Sequence, residues 1–157
     1  MGIVMFRIDD RLIHGQVVEG WFHTLHPDRI VVADDEAAEN AFQKSLMKLA
    51  VPYGVVTEVL TIQNAVQRFQ EHDFLSSRSI VLFRLPRDVL TALDLGLSID
   101  RLNLGGLHAA GKTKILGKGV LASEQDLHDL EEILQSGIHV EVRPVPTESS
   151  VDLRRLM

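Results

Sequence analysis

The sequence predicts one α/β domain with an open, seven-stranded, mainly parallel sheet and helices on both faces. The chain has 157 residues, a length typical of a single domain. Short β-rich runs alternate with segments of helical period along its whole length, as in βαβ units. Hydrophobic residues make up 45% of the chain and charged residues 24%, so the composition supplies enough apolar side chains for a core.

Seven runs predict the strands, and most of them are apolar at consecutive positions, as expected of strands covered on both faces. In order along the chain, they span residues 3–8, 29–33, 53–60, 79–85, 101–104, 119–122 and 138–143.

Five segments between these strands have the period and the end signals of helices. Pro86 marks the beginning of the fourth helix. Ser123 and Asp126 form a variant of the capping box at the start of the fifth, which ends at Gly137. We expect one or two helical turns in the final residues 151–157. The five helices span residues 16–25, 37–50, 62–72, 87–95 and 124–136.

Composition excludes several classes of function. Sixteen Lys and Arg against 22 Asp and Glu give a net charge of −6, so we expect no broad basic surface for nucleic acid. The absence of Cys excludes disulfides, thiolate zinc sites and cysteine nucleophiles. The N-terminus lacks the pattern of a signal peptide, and no run of 18 apolar residues is present to span a bilayer. We therefore expect a soluble protein.

The loop after the first strand is the richest in reactive side chains. Ligands of open α/β sheets bind beyond the carboxyl ends of the strands, so such loops are the places to search. A helix follows the loop at once, and its N-terminus and a nearby guanidinium both attract anions. The loop therefore predicts a phosphate-binding site. Its candidate residues are Asp9, Asp10, Arg11, His14, Gly15 and Gln16.

His14 is the candidate nucleophile of this loop, because a neutral imidazole nitrogen can accept a phosphoryl group without a metal. Asp9 or Asp10 can orient it by accepting a hydrogen bond from the other ring nitrogen, or can pair with Arg11. The sequence leaves these two arrangements open. A polar turn with a surface histidine is the structural alternative.

Residues 106–113 match the pattern G-x-x-x-x-G-K-[ST] of nucleotide-binding loops. Such a loop must open a helix, but two glycines within residues 114–119 make a poor helix start, so we do not favour nucleotide binding. We expect Gly106, His108 and Lys112 to line the same crevice as the first loop. A flexible hinge is the alternative interpretation.

No metal or other cofactor is predicted. His23 and His26 lie three residues apart near a helix end, without a third ligand. The acidic residues 34–36 are interpreted as the cap of the next helix.

The segment RIDDRLIHGQV, residues 7–17, closely resembles the phosphorylation-site signature of the IIB components of the mannose/fructose/sorbose family of the bacterial sugar phosphotransferase system (PTS). The likeness extends over nearly the whole chain, so the resemblance implies one IIB domain over residues 1–157. The supporting segments are residues 29–36, 50–55, 81–86, 102–107, 111–112 and 137–142.

This resemblance implies that Nδ1 of His14 receives a phosphoryl group from the phosphohistidine of a IIA protein. His14 then passes it to a sugar held by the membrane components IIC and IID, in the activity of a protein-N(pi)-phosphohistidine–sugar phosphotransferase. Arg11 matches the residue that stabilises the phosphate. The implied location is cytoplasmic, at the inner face of the membrane through IIC and IID, and self-association is left open. The family's sugars include mannose, fructose, sorbose and N-acetylgalactosamine.

Two alternatives to this function remain at this point. One is a regulatory module in which the phosphorylation state of His14 is read by another protein, without transport. The other is a nucleotide-binding protein that uses residues 106–113.

Overall fold

A computed structural model describes residues 2–15 and 17–157 of the chain, and it contains nine strands in that part. The strands are β1 (Gly2–Asp9), β2 (Arg29–Ala33), β3 (Val56–Leu60), β4 (Arg78–Phe83), β5 (Arg101–His108), β6 (Lys114–Gly117), β7 (Val120–Ala122), β8 (His139–Val142) and β9 (Val151–Asp152).

Helices fill most of the connections between the strands. The α-helices are α1 (Phe22–Leu25), α2 (Asp35–Ala38), α3 (Ala41–Ala50), α4 (Ile62–Arg68), α5 (His72–Leu75), α6 (Pro86–Asp94) and α7 (Glu124–Gln135). A π-helical turn, Val17–Trp21, precedes α1, and a 3₁₀ turn, Leu153–Arg155, follows β9.

The sheet is mostly parallel, with the order β3-β2-β4-β1-β5 at its centre. Strand β8 pairs in parallel with the first half of β5, and β7 pairs in parallel with its last two residues. Only β6, on β7, and β9, on β8, are antiparallel among the described pairs. The predicted class, a single α/β domain with a mainly parallel sheet, is confirmed.

The predicted number of strands, seven, is wrong by two. Strand β6 lies in a segment for which we predicted neither a strand nor a helix, and β9 lies where we expected only helical turns. Both are short edge strands without an apolar run of their own. Their conformation depends on pairing with β7 and β8, which a local pattern does not reveal.

Helices cover both faces of the sheet, as predicted. On β2, Val31 and Ala33 point into a core that also contains residues of α4, α6 and α7. Ile30 and Val32 alternate with them and point into a second core, with residues of the π-helical turn, α1, α2 and α3. The alternation follows from the period of two residues along a strand.

Three predicted helices are interrupted, and local capping explains the interruption of one of them, the predicted helix 37–50. Asp34 accepts a hydrogen bond from the backbone N–H of Ala37 and begins α2. Asn40 accepts one from the N–H of Gln43 and begins α3, so the predicted helix 37–50 is divided in two. The predicted helix 16–25 contains the π-helical turn, and the predicted helix 62–72 becomes α4 and α5. The capping box of Ser123 and Asp126 forms as predicted.

Strand β1 lies at the point where the order of the strands reverses. The chain runs from β1 to β2 and β3 on one side, returns to β4 beside β1, and then continues to β5 on the other side. The loop after β1 therefore leaves the sheet at a topological switch point, where open α/β sheets bind ligands. None of the helices in the described part of the chain is long and apolar enough to cross a membrane.

Candidate functional site

The loop after β1 is anchored to the core by two apolar residues. Leu12 and Ile13 are buried, and Leu12 adopts a left-handed conformation with φ 58°. Its backbone N–H donates to the carbonyl of Asp9 at 2.9 Å, which closes a tight turn. This turn places Arg11 and His14 toward the outside, with side chains that are 41% and 17% exposed.

Asp9 is the centre of the site. Its buried carboxylate accepts hydrogen bonds from Nε2 of His14 at 2.9 Å and from Nη2 of Arg7 at 2.9 Å. The backbone N–H of Arg11 donates to the other carboxylate oxygen at 3.1 Å, and the Nε of Arg11 lies 3.5 Å from it. The sequence left open whether Asp9 binds His14 or Arg11, and the structure places it in contact with both.

The contact with Asp9 fixes the tautomer of His14. An ionised carboxylate can only accept hydrogen bonds, so the ring donates through Nε2 and keeps the lone pair on Nδ1. The carbonyl of His14 accepts from the N–H of Val18 at 3.2 Å, so the histidine directly precedes the helical segment. Nδ1 is therefore the nucleophilic nitrogen of this ring.

Asp9 stays ionised although it is buried. Burial alone would raise its pKa, but the hydrogen bond from His14, the charge of Arg7 and the N–H of Arg11 outweigh that effect. Together they hold the pKa of Asp9 well below its usual range. Burial lowers the pKa of Arg7, and the carboxylate of Asp9 opposes this shift. The two residues form a buried ion pair.

Asp10 connects the loop to the end of β5. Its carboxylate accepts the backbone N–H of His108 at 2.6 Å and lies 2.7 Å from Nδ1 of the same residue. The N–H of Asp10 donates to the carbonyl of Gly106 at 3.1 Å. The two acidic neighbours thus have different tasks, since Asp9 contacts His14 and Asp10 contacts His108.

Gly106 provides the space for Asp9. A Cβ atom at this position would lie 2.9 Å from a carboxylate oxygen of Asp9, too close for the present arrangement. Lys112 is exposed beyond β5, and no described hydrogen bond or ion pair joins it to the loop. Of the three predicted crevice residues, Gly106 and His108 are thus joined to the loop by described hydrogen bonds.

The nucleotide-binding interpretation of residues 106–113 lacks its structural context. Residues 106–108 belong to β5, and β6 begins at residue 114, so a strand follows the pattern where a helix is needed. Gly15 is exposed at the start of the helical segment, and a Cβ atom there would meet nothing within 4 Å. Gln16, the other predicted phosphate-binding residue, lies outside the described residues.

Two arginines of the site region were not among the predicted site residues. Arg84, after β4, binds both carboxylate oxygens of Asp34, at 3.1 and 3.0 Å, and contacts the carbonyl of Asp10 at 3.4 Å. The bond to Asp34 raises the pKa of Arg84. Arg7 lies within β1 and binds Asp9. The sequence marked Arg7 by its position inside an apolar strand and at the beginning of the segment RIDDRLIHGQV.

Known proteins are similar to this chain in sequence and in fold. The family model described as "PTS system sorbose subfamily IIB component" matches residues 3–157. The fructose-specific EIIB component of Bacillus subtilis (strain 168) is 29% identical over 157 residues, which are 100% of this chain and 96% of that protein. The mannose-specific EIIAB component of Escherichia coli (strain K12) is 32% identical over 158 residues, which cover 100% of this chain and 49% of that longer protein.

A solved structure gives the same result. The IIBSor domain of the sorbose permease from Klebsiella pneumoniae is 32% identical and has a TM-score of 0.90, with 99% of this chain and 96% of that chain covered. The match thus includes the whole sheet and the loop after β1. The chain therefore belongs to the sorbose subfamily of IIB components of the sugar phosphotransferase system, which are phosphotransferases of sugar uptake.

Proposed function

We propose that His14 carries the phosphoryl group in this IIB component. Nδ1 of His14 accepts the group from the phosphohistidine of a IIA protein and passes it to a sugar hydroxyl held by the membrane components IIC and IID. The observation that carries this proposal is the hydrogen bond between Nε2 of His14 and Asp9, because it leaves the lone pair on Nδ1. The partial exposure of the ring allows a donor protein to reach it.

The transfer consists of two substitutions at phosphorus. In the first, the lone pair of Nδ1 attacks, a new N–P bond forms, and the bond to the donor histidine breaks with its electron pair returning to the donor nitrogen. In the second, the sugar oxygen attacks and the bond to Nδ1 breaks, which restores the lone pair. The hydroxyl proton passes to a base outside this chain. Proximity and charge stabilisation dominate such reactions.

Asp9 has a direct part in the first step. When Nδ1 of His14 binds phosphorus while Nε2 keeps its proton, the ring becomes positively charged. The ionised carboxylate at 2.9 Å stabilises this charge, and its own ionisation is secured by the buried pair with Arg7. Asp9 therefore favours the phosphorylated form of the histidine without taking its proton.

Arg11 stabilises the phosphate in this proposal. Its side chain is 41% exposed and starts from the same turn as His14, and its contact with Asp9 directs it along the loop. A guanidinium can bind two phosphate oxygens at once. Gly15 supports the same binding, because the absence of a side chain leaves space at the beginning of the helical segment.

Asp10, Gly106 and His108 form the wall of the crevice next to His14. Asp10 is hydrogen-bonded to both other residues, and these bonds attach the loop after β1 to β5. The side chain of His108 is 41% exposed, and in this proposal it is accessible to a partner protein or to a phosphate.

We also propose that the protein acts in the cytoplasm and reaches the inner face of the membrane by binding IIC and IID. PTS IIB components work with a IIA partner, which is fused in the mannose EIIAB component, and with membrane partners. The relatives are named as components of sugar-specific systems, which favours uptake over a purely regulatory module.

Intact-mass spectrometry tests the role of His14. The protein is mixed with a phosphorylated IIA donor at neutral to alkaline pH, beside the variants His14→Ala and His23→Ala. We expect an acid-labile phosphate on the wild type and on His23→Ala, and none on His14→Ala. Labelling of His14→Ala, or no labelling of the wild type with two different donors, would refute the proposal.

A further inference from the structure

Arg7 is a fully buried charge at the centre of the molecule. Its guanidinium donates to the side-chain oxygen of Asn103 at 2.7 Å, to Asp9 at 2.9 Å and to the carbonyls of Pro144 and Arg143 at 3.0 and 3.4 Å. Removing such a group from water is unfavourable unless it is paired and hydrogen-bonded. This arrangement uses polar groups from three separate parts of the chain.

Strand β5 is shaped around this arginine. A Cβ atom at Gly105 would lie 2.0 Å from the guanidinium carbon of Arg7, so no other residue fits there without a shift of the arginine. The next residue, Gly106, makes room for Asp9 in the same way. Two consecutive glycines thus form the space that contains the Arg7–Asp9 pair.

The position of Arg7 is itself fixed by Asn103. The amide nitrogen of Asn103 donates to Glu141 at 3.2 Å and to the carbonyl of Arg143 at 3.1 Å. These two bonds determine which end of the amide faces Arg7, so the amide oxygen accepts from the guanidinium. A line of hydrogen bonds therefore runs from Glu141 through Asn103, Arg7 and Asp9 to His14.

One carboxylate oxygen of Asp9 accepts hydrogen bonds from both Arg7 and His14. Nη2 of Arg7 and Nε2 of His14 each lie 2.9 Å from Oδ2. Without Arg7, Asp9 would be a buried carboxylate without its main countercharge, and it would draw a proton either onto itself or onto the His14 ring. A protonated Asp9 would donate to Nε2 and leave the hydrogen on Nδ1, and a charged ring carries a hydrogen on both nitrogens. In either case Nδ1 loses its lone pair.

We propose that Arg7 is a positioning residue for phosphoryl transfer, which keeps Asp9 ionised and directed so that Nδ1 of His14 stays unprotonated. The inference rests on the proposed role of His14 and adds the group that prepares it. Arg7 does not touch the phosphoryl group and acts through Asp9 alone. Asn103 contributes by orienting Arg7.

Nitrogen NMR of the His14 ring tests this role directly, in the absence of any phosphoryl donor. Long-range ¹H–¹⁵N correlation at pH 7.5 identifies which ring nitrogen carries hydrogen. We expect hydrogen on Nε2 only in the wild type, and hydrogen on Nδ1 in most molecules of Arg7→Met. Arg7→Lys should be intermediate, because an ammonium can pair with Asp9 but lacks the planar fork with which Arg7 binds Asp9 and Asn103 through two different nitrogens.

Two further variants control for unfolding and for the loss of a charge in general. Asn103→Ala keeps both Arg7 and Asp9, and we expect a smaller, measurable population with hydrogen on Nδ1. Arg29 begins β2, two strands away from β1, and pairs with Glu58 on β3. Arg29→Met removes this arginine and should leave the His14 tautomer unchanged. Folded Arg7→Met and Asn103→Ala proteins with the wild-type tautomer would overturn the inference.

The transfer rate provides the second readout. We expect kcat for phosphoryl acceptance to fall by about 10- to 100-fold in Arg7→Met, the range typical when a group that orients a reacting residue is lost, with little change in the KM for the donor. An unchanged kcat would contradict the inference. A wild-type protein with hydrogen on Nε2 that no donor phosphorylates would refute the role of His14 instead, so the two failures are distinguishable.

Discussion

The Oδ2 oxygen of Asp9 lies 2.9 Å from Nε2 of His14 and accepts its hydrogen bond. Asp9 ends a buried strand and His14 follows a turn of four residues, so the main chain reverses to bring the two side chains together. Because the carboxylate is ionised and buried, the bond determines the state of the ring more firmly than a surface contact would. In the transfer that we propose, the acceptor nitrogen is thus selected before a phosphoryl donor arrives.

The first prediction concerns the stability contributed by the pair of Asp9 and Arg7. Asp9→Asn keeps the size of the side chain but leaves the charge of Arg7 buried without a counterion. We expect a loss of about 3–5 kcal/mol in the free energy of unfolding, as when one partner of a buried pair is removed. Urea denaturation at pH 7 measures it. Asp10→Asn is the matched control, and equal losses in both variants would contradict the assignment.

The second prediction concerns the glycines of β5. Gly105→Ala places a methyl group where the guanidinium of Arg7 lies, and we expect a loss of about 1–3 kcal/mol in stability, or failure to fold. Gly106→Ala brings a milder clash with Asp9. Gly15→Ala is the control, because its added Cβ meets nothing within 4 Å and its stability should change by less than about 0.5 kcal/mol.

Thermal and urea denaturation of the three glycine variants rank them by stability. We expect Gly105→Ala to be the least stable and Gly15→Ala to match the wild type. A Gly105→Ala protein as stable as Gly15→Ala would mean that Arg7 has an alternative position.

The third prediction is a pH dependence that arises at Asp88, at the start of α6. The pKa of Asp88 is raised to about 6, chiefly by burial and also by the charges of Asp34 and Asp35. The hydrogen bond from the N–H of Leu85 and the charge of Arg84 act in the opposite direction. The pKa in the folded protein exceeds the unfolded value of about 3.9, so the folded state binds the proton more tightly. The resulting stability is complete below about pH 4 and is lost as the pH rises through about 6.

Urea denaturation between pH 4.5 and 7.5 tests this dependence. Asp88→Asn keeps a side-chain acceptor for the N–H of Leu85 and removes the titration, so its stability should decline less over this range than that of the wild type. The pH dependence of stability that arises at Asp9 has the opposite sign, because the pKa of Asp9 is lowered in the folded protein. Its contribution to the free energy of unfolding is complete above about pH 4 and is lost only at lower pH. Equal slopes in the wild type and Asp88→Asn would refute the prediction.

The sequence predicted which polar residues the loop after β1 contains, but it did not predict the contacts that they make. The apolar runs of β1 and β2 and the polar residues after β1 are local signals, which the sequence displays directly. The separate tasks of Asp9 and Asp10 were not predictable, because they depend on β5, whose residues Gly106 and His108 lie almost a hundred positions away. The importance of Arg7 was hidden for the same reason.

The sequence did not predict the short edge strands or the helix interruptions, and the physical reason differs between the two. A two-residue strand such as β9 is stabilised by its partner β8 and has no pattern of its own. The division of α2 from α3 depends on Asn40, which caps a new helix instead of lying inside a longer one. The helical period of the apolar residues is the same in both cases, so it does not reveal the division.

The last prediction concerns Arg11. Its side chain is 41% exposed, so Arg11→Ala should leave the fold and the His14 tautomer intact. We expect phosphoryl transfer to slow by about tenfold to a thousandfold, since the loss of a group that stabilises charge at the reacting centre has effects of this order. Rapid-quench measurement of transfer from a phosphorylated IIA donor gives the rate. Arg87→Ala, which removes an exposed arginine paired with Asp129 on α7, is the control and should keep the wild-type rate. A wild-type rate in Arg11→Ala would show that the phosphate is stabilised elsewhere, and Arg84 would be the next arginine to replace.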